Sequence, residues 1–216
     1  DGWGKRRLFV VPGGMLTTYI NSYPTLRYGF FGGSSWSTPA EAIRGLQRRY
    51  GESDTWPFIG RLREIERLRA FLANPHERAC VVTGPLLVGK TRLVLEAVGS
   101  ADRAVYTDEP DELEQSDLSR LDETGALPVS VVVVDGCSAR IADRLVAWTN
   151  ARERLKVIIV LDGAAGYETA EAPVIRVEGL DSDAIGKLLR AIPEVDWQKH
   201  QWLERVADGS PGRLLK

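Results

Sequence analysis

Residues 80–98 read CVVTGPLLVGKTRLVLEAV. An apolar run, a glycine-bearing turn and a helix-forming stretch follow one another, and the turn contains G-x-x-x-x-G-K-[ST] as Gly84, Gly89, Lys90 and Thr91. Glycines at these places permit backbone geometry that lets successive amide N–H groups converge on phosphate oxygens. A helix opening near Gly89 adds the positive end of its dipole. Lys90 offers a full charge to the β- and γ-phosphates, and the Thr91 hydroxyl is placed to ligate Mg²⁺. Val88 and Arg92, next to the second glycine and the threonine, complete the set expected around the nucleotide. Strand before and helix after is the context this motif requires.

A metal-bound nucleotide also needs a carboxylate. The run VVVVD ends at Asp135, an acid at the C-terminal edge of a strand apolar enough to be buried on both faces. Open α/β sheets bind ligands at that edge. Lys90 and Asp135 are therefore the expected catalytic pair, with Thr91 and Asp135 as the expected Mg²⁺ ligands.

Working outward, apolar runs at 79–83, 104–107, 130–135, 156–161 and 174–177 alternate with helical patterns at 89–98 and 139–152 and a weaker one at 111–121. Strands separated by helices predict a parallel sheet covered on both faces. Leu62, Ile65, Leu68 and Leu72 recur at helical spacing, predicting an amphipathic helix over 61–73. After Gly179 the sheet pattern ends. Asp181-Ser182-Asp183 can cap a helix carrying Ile185, Leu188, Leu189 and Ile192, and a second helix is expected from beyond Asp196 to about Ala207. The organisation predicted is a connector or tail of a preceding domain at 1–57, a nucleotide-binding core at 58–179 and a helical lid at 180–216. Within the first segment, a strand is expected at 8–11 and a helix from Thr38 to Tyr50, while Trp3, Trp36 and Trp56 are expected to anchor the connector on a neighbouring domain.

Composition narrows the class. The formal net charge of −2 argues against a surface built wholly to grip nucleic acid. Cys80 and Cys137 cannot form a disulfide scaffold and have no metal-ligand spacing, so they read as buried thiols of a reducing cytoplasm. No apolar stretch approaches the ~20 residues of a membrane span. The chain starts at Asp1 and ends after Lys216, which reads as a piece of something longer.

The room between Lys90 and Asp135 admits one extra strand, which places the chain beside P-loop ATPases with sheet order 5-1-4-3-2. WPFIGRLREIERLRAFL (56–72) resembles the F-x-G-R-x-x-E-x-x-x-L lead-in of AAA+ and STAND ATPases. GKTRLVLEA, VVVVDGCSA and WLERVADGSPGRLLK are similar to their P-loop helix, Walker B region and lid with its G-x-P element, Gly209-Ser210-Pro211. The order and texture resemble prokaryotic antiviral STAND proteins, the Avs group. That resemblance implies an ATP- or ADP-binding regulatory switch with Mg²⁺, flanked by effector and sensor domains and assembling into a homo-oligomer on activation. It also implies that Phe58, Ile59, Gly60 and Arg61 lie near the adenine and that Pro211 packs on base or ribose.

Departures bear on turnover. Asp135 is followed by Gly136-Cys137-Ser138-Ala139, with no acid to orient the attacking water. Strand four ends VIIVLDGAAG (157–166), where Asp162 stands at the place of a polar sensor or serves a turn. Slow hydrolysis is expected. The rival readings are a motor-like AAA+ ATPase acting on nucleic acid and a degenerate nucleotide-binding scaffold.

Overall fold

The computed structural model describes residues 36–50, 57–99, 104–113, 118, 130–163, 166–191 and 200–215. Five strands, β1 (Ala79–Thr83), β2 (Ala104–Thr107), β3 (Val131–Cys137), β4 (Lys156–Leu161) and β5 (Val174–Arg176), form one sheet ordered β2-β3-β4-β1-β5. All four pairings are parallel. Read from the other edge this is the predicted 5-1-4-3-2 order. The strand after the phosphate loop thus lies at one edge, and β4 separates β1 from β3.

Parity along each strand decides which layer a residue joins. Val81, Val105, Val132, Val134, Val157 and Ile159 face α4 (Ala139–Asn150), meeting Ile141, Leu145 and Trp148. The alternate residues Cys80, Val82, Tyr106, Val133, Ile158 and Val160 face α2 (Leu62–Ala73) and α3 (Lys90–Val98), meeting Leu68, Phe71, Leu93 and Val94. A strand buried on both sides can be apolar throughout, which is why VVVV carries no alternation. Both cysteines are buried, and desolvation pushes each thiol up to about 12. They are packing groups, inert at neutral pH.

The predicted helix at 38–50 is α1 (Pro39–Tyr50). It starts with a reciprocal cap: the Thr38 N–H donates to the Glu41 carboxylate at 2.9 Å, and the Glu41 N–H donates to the Thr38 hydroxyl at 3.2 Å. It packs on α3 and β2. Trp36 does not reach for a neighbouring domain as expected. It is buried in the core with Val105 and Leu113, and Ser37 exchanges backbone hydrogen bonds with Tyr106 at 2.9 and 2.8 Å. Burying an indole against the edge strand gains more than exposing it. The expected strand at 8–11, Trp3, Trp56 and most of the weaker helix at 111–121 lie outside the described residues.

Helices α5 (Ser182–Ala191) and α6 (His200–Ala207), with a 3-10 turn at Pro211–Leu215, form the region beyond the sheet. Ile185, Leu189 and Ala207 make its small core, with Leu180, Leu203 and Leu214 around it. The first helix is capped as predicted, by Asp181 accepting from the Ala184 N–H at 2.7 Å. No helix among the described residues is long and apolar enough to cross a membrane.

At the opposite end from the glycine loop, the Lys156 ammonium gathers the carbonyls of Phe71 at 2.7 Å, Glu77 at 3.0 Å and Asn74, and lies 4.7 Å from the Phe71 ring centroid. A cation here satisfies carbonyls at the end of α2 and its dipole, and ties that helix to β4. Lys156→Met should therefore lower unfolding stability by roughly 2–3 kcal/mol, because the carbonyls are left partly desolvated. A urea melt should show a lower midpoint at unchanged slope.

Candidate nucleotide site

The turn after β1 needs its glycine for reasons of space. Gly84 has φ +154°, and a Cβ there would lie 2.2 Å from the Val177 carbonyl oxygen. Leu87, with φ 63°, takes a left-handed conformation uncommon for a branched side chain. Gly89, also left-handed, directly precedes α3. The loop is tied by Lys90, whose ammonium donates to the carbonyls of Gly84 at 3.0 Å and Pro85 at 2.8 Å. Lys90 is buried, and desolvation lowers its pKa while Asp162 and Asp135 oppose that shift.

The first turn of α3 meets the end of β3. Thr91 Oγ1 donates to Asp135 Oδ2 at 2.7 Å, and the Gly136 N–H donates to Asp135 Oδ1 at 2.9 Å. A further donor was not anticipated from sequence: the Tyr106 hydroxyl reaches the same Oδ2 at 3.0 Å. Desolvation raises the Asp135 pKa, the Thr91, Gly136 and Tyr106 bonds lower it, and the Asp108 charge raises it. The carboxylate is held at a fixed place by three donors on one side of a cavity.

That cavity has a volume of about 570 Å³, within the ~300–1,000 Å³ of small-molecule sites. Of the residues expected around a nucleotide, Phe58, Ile59, Arg61, Val88, Gly89, Lys90, Thr91, Arg92, Asp135 and Pro211 line it, as does Asp162. Gly60 and Gly84 do not, and act behind the wall. Gly60 is left-handed, and a Cβ there would press on Leu180 Cδ2 at 3.1 Å. Leu46 and Gln47 of α1, Tyr106, Asp108, Leu188 and Gly212 also line the cavity and were missed. Tyr106 and Asp108 stand at the C-terminal end of a recognised strand, which was the signal available for them.

Arg61 has a definite job. It is the left-handed residue preceding α2, its guanidinium donates to the Val88 carbonyl at 3.1 Å and pairs with Glu64 at 3.2 Å, and its side chain is 6 % exposed. It clamps the lead-in segment to the phosphate loop. Arg92 pairs instead with Glu96 along α3.

The region after the sheet closes over the loop through backbone. The Gly212 N–H donates to the Leu87 carbonyl at 2.9 Å, and the Leu180 N–H donates to the Gly209 carbonyl at 2.7 Å. A Cβ on Gly212 would lie 2.8 Å from Leu87 O and 2.9 Å from Leu87 Cβ. Pro211 Cγ lies 3.7 Å from where a Gly89 side chain would start. Pro211 therefore sits directly above the phosphate loop.

The overall fold is shared with solved proteins. The chain has the fold of a P-loop ATPase. It superposes on a Drosophila origin recognition complex structure bound to DNA with TM-score 0.53 and 16% identity, over 90% of this chain and 65% of that one. The Walker-type ATPase of Pyrococcus abyssi matches with TM-score 0.50 and 16% identity, over 73% and 66%. A STAND protein with a tetratricopeptide repeat sensor from Pyrococcus horikoshii matches with TM-score 0.48 and 17% identity, over 73% of this chain and 30% of that chain. The chain thus spans about a third of that STAND protein and just under two thirds of the other two. No protein-family model matches the sequence, and no curated protein does.

The close approach at Gly212 gives a direct test of the lid contact. Gly212→Ala should force Leu87 and the 211–215 turn apart, so that hydrogen exchange at the amides of residues 180 and 212 rises at least roughly tenfold, about 1.4 kcal/mol of lost local protection. Exchange within β3 and β4 should not change.

Proposed function

We propose that this chain is the adenine-nucleotide-binding switch of a STAND-type ATPase, taking ATP or ADP with Mg²⁺ and hydrolysing ATP slowly. One observation carries the reading: the Thr91 hydroxyl and the Asp135 carboxylate meet at 2.7 Å beside the buried Lys90, on the wall of a nucleotide-sized cavity. The donor set is right for a hard cation. A hydroxyl and a carboxylate are oxygen ligands, and few protein ligands leave room for phosphate and water, as Mg²⁺ prefers. When bound, the ion would offset the charge of the β- and γ-phosphates.

The chain's own residues supply the rest. Lys90 is free to exchange the Gly84 and Pro85 carbonyls for phosphate oxygens. Gly84, Val88 and Gly89 shape the loop whose amides cradle them. Phe58 and Ile59 offer apolar surface to the base, with Gly60 and Arg61 fixing that segment from behind, and Pro211 covers the site from the lid. Within this reading, 58–179 is the core, 180–216 the lid, and residues up to 57 a connector whose stretch 36–50 packs on the core.

The contact of Gly212 with Leu87 supports a switch. A phosphate held by the loop changes the loop's contacts, and the lid is bonded to that loop, so nucleotide state biases lid position. The lack of an acid after Asp135 favours slow turnover over a motor acting on nucleic acid. The finer role, an antiviral defence protein in which ligand sensing leads to homo-oligomer assembly and effector activation, rests on the sequence resemblance.

Lys90→Ala should weaken ADP and ATP binding at least about thirtyfold, the low end of the ~2–5 kcal/mol for removing one partner of a buried charged contact. Asp135→Ala should chiefly abolish the Mg²⁺ dependence of binding. Calorimetry with and without Mg²⁺ checks both. Sedimentation with ADP against a non-hydrolysable ATP analogue checks the switch: identical states in the full-length protein with its activating ligand would refute it. Ligand-independent turnover on the order of 10 per second would instead support the motor.

A further inference from the structure

The position at which a water-orienting acid commonly stands is spent on structure. Gly136 is left-handed and exposed, and Cys137 is fully buried. The Ser138 hydroxyl caps α4, accepting from the Ile141 N–H at 3.4 Å. None of the three can hold a nucleophile at the phosphate end of the cavity.

The neighbouring strand supplies an acid there. β2 pairs with β3 as far as Thr107↔Val134, and Asp108 is the next residue, in a bend just past the end of β2. Tyr106, two residues earlier, brings its hydroxyl to 3.0 Å from Asp135 Oδ2, so the end of β2 borders the same carboxylate. Asp108 lines the cavity with an exposed side chain, and its charge is felt at Asp135. Asp162 lies on the other flank of β3. Its amide donates to the Cys137 carbonyl at 3.0 Å and its charge acts on Lys90, the group that neutralises phosphate.

We propose that Asp108 is the general base of ATP hydrolysis in this chain, orienting the attacking water from the bend after β2 in place of an acid on β3. The inference rests on the nucleotide-binding reading above. As the water oxygen bonds to the γ-phosphorus, the bond from that phosphorus to the bridging oxygen breaks and its electron pair leaves with ADP. The water proton passes to the Asp108 carboxylate and from there to solvent, restoring the base.

The experiment measures three quantities on the full chain: ADP affinity, affinity for ADP with aluminium fluoride (a planar mimic of the phosphoryl group in flight), and single-turnover ATP hydrolysis. Asp108→Asn should keep ADP affinity within about threefold. It should weaken the aluminium fluoride complex and slow hydrolysis at least about a hundredfold, the low end for a lost general base. Asp108→Glu should recover part of both losses. Retained ADP binding certifies that each variant folds. Unchanged hydrolysis in Asp108→Asn, an equal loss of ADP affinity, or the hundredfold loss appearing in Asp162→Asn instead would overturn the assignment. So would an unsubstituted chain that binds ADP but hydrolyses ATP no faster than solution. An unsubstituted chain that binds no ADP would overturn both this proposal and the nucleotide reading beneath it.

Discussion

The hydrogen bond from Thr91 to Asp135 is the contact on which the site depends, because it joins parts of the sheet that do not touch. Thr91 opens the helix after β1, Asp135 ends the VVVV run of β3, and β4 lies between those strands. The parallel order brings both strand ends to one edge, and the helix dipole and the carboxylate are complementary there. Desolvation alone would push the Asp135 carboxyl towards its neutral form. The donors from Thr91, Gly136 and Tyr106 oppose that and also fix the direction of both oxygens.

Around this contact the chain uses backbone where side chains would not fit. Gly84 lets the loop pass against the Val177 carbonyl, and Gly212 lets the final turn sit on Leu87. Between them Arg61 ties the lead-in segment to Val88. Three separate parts of the sequence thus converge on one eight-residue loop. Under the proposed function, a change in what that loop holds would reach the lead-in segment and the lid through these contacts, because packed contacts of this kind rearrange between discrete states more readily than they stretch.

Far from the loop, Lys156 does a comparable job with charge. One ammonium collects three carbonyls near the end of α2 and so fixes that helix against β4. The same helix begins at Arg61, so its position is set at both ends: by a cation on the loop carbonyl at one and by a cation from the sheet at the other. The orientation of the lead-in segment over the cavity follows from those two anchors.

Local pattern was enough to determine the layered fold, the five strands of the sheet and the helix after the phosphate loop, and to single out Lys90, Thr91 and Asp135, which line one cavity. Glycine spacing, apolar runs and an acid at a strand end are properties of short stretches, and the chemistry they serve requires them in that order. Tertiary structure alone decided the rest. Tyr106 reaches Asp135 because β2 pairs with β3, Arg61 reaches the Val88 carbonyl from the lead-in segment, and Trp36 is buried against the edge strand. Gly212 matters because a backbone from the far end of the chain approaches Leu87 within hydrogen-bond distance. Each of these depends on which distant segments become neighbours, and no short stretch of sequence carries that information.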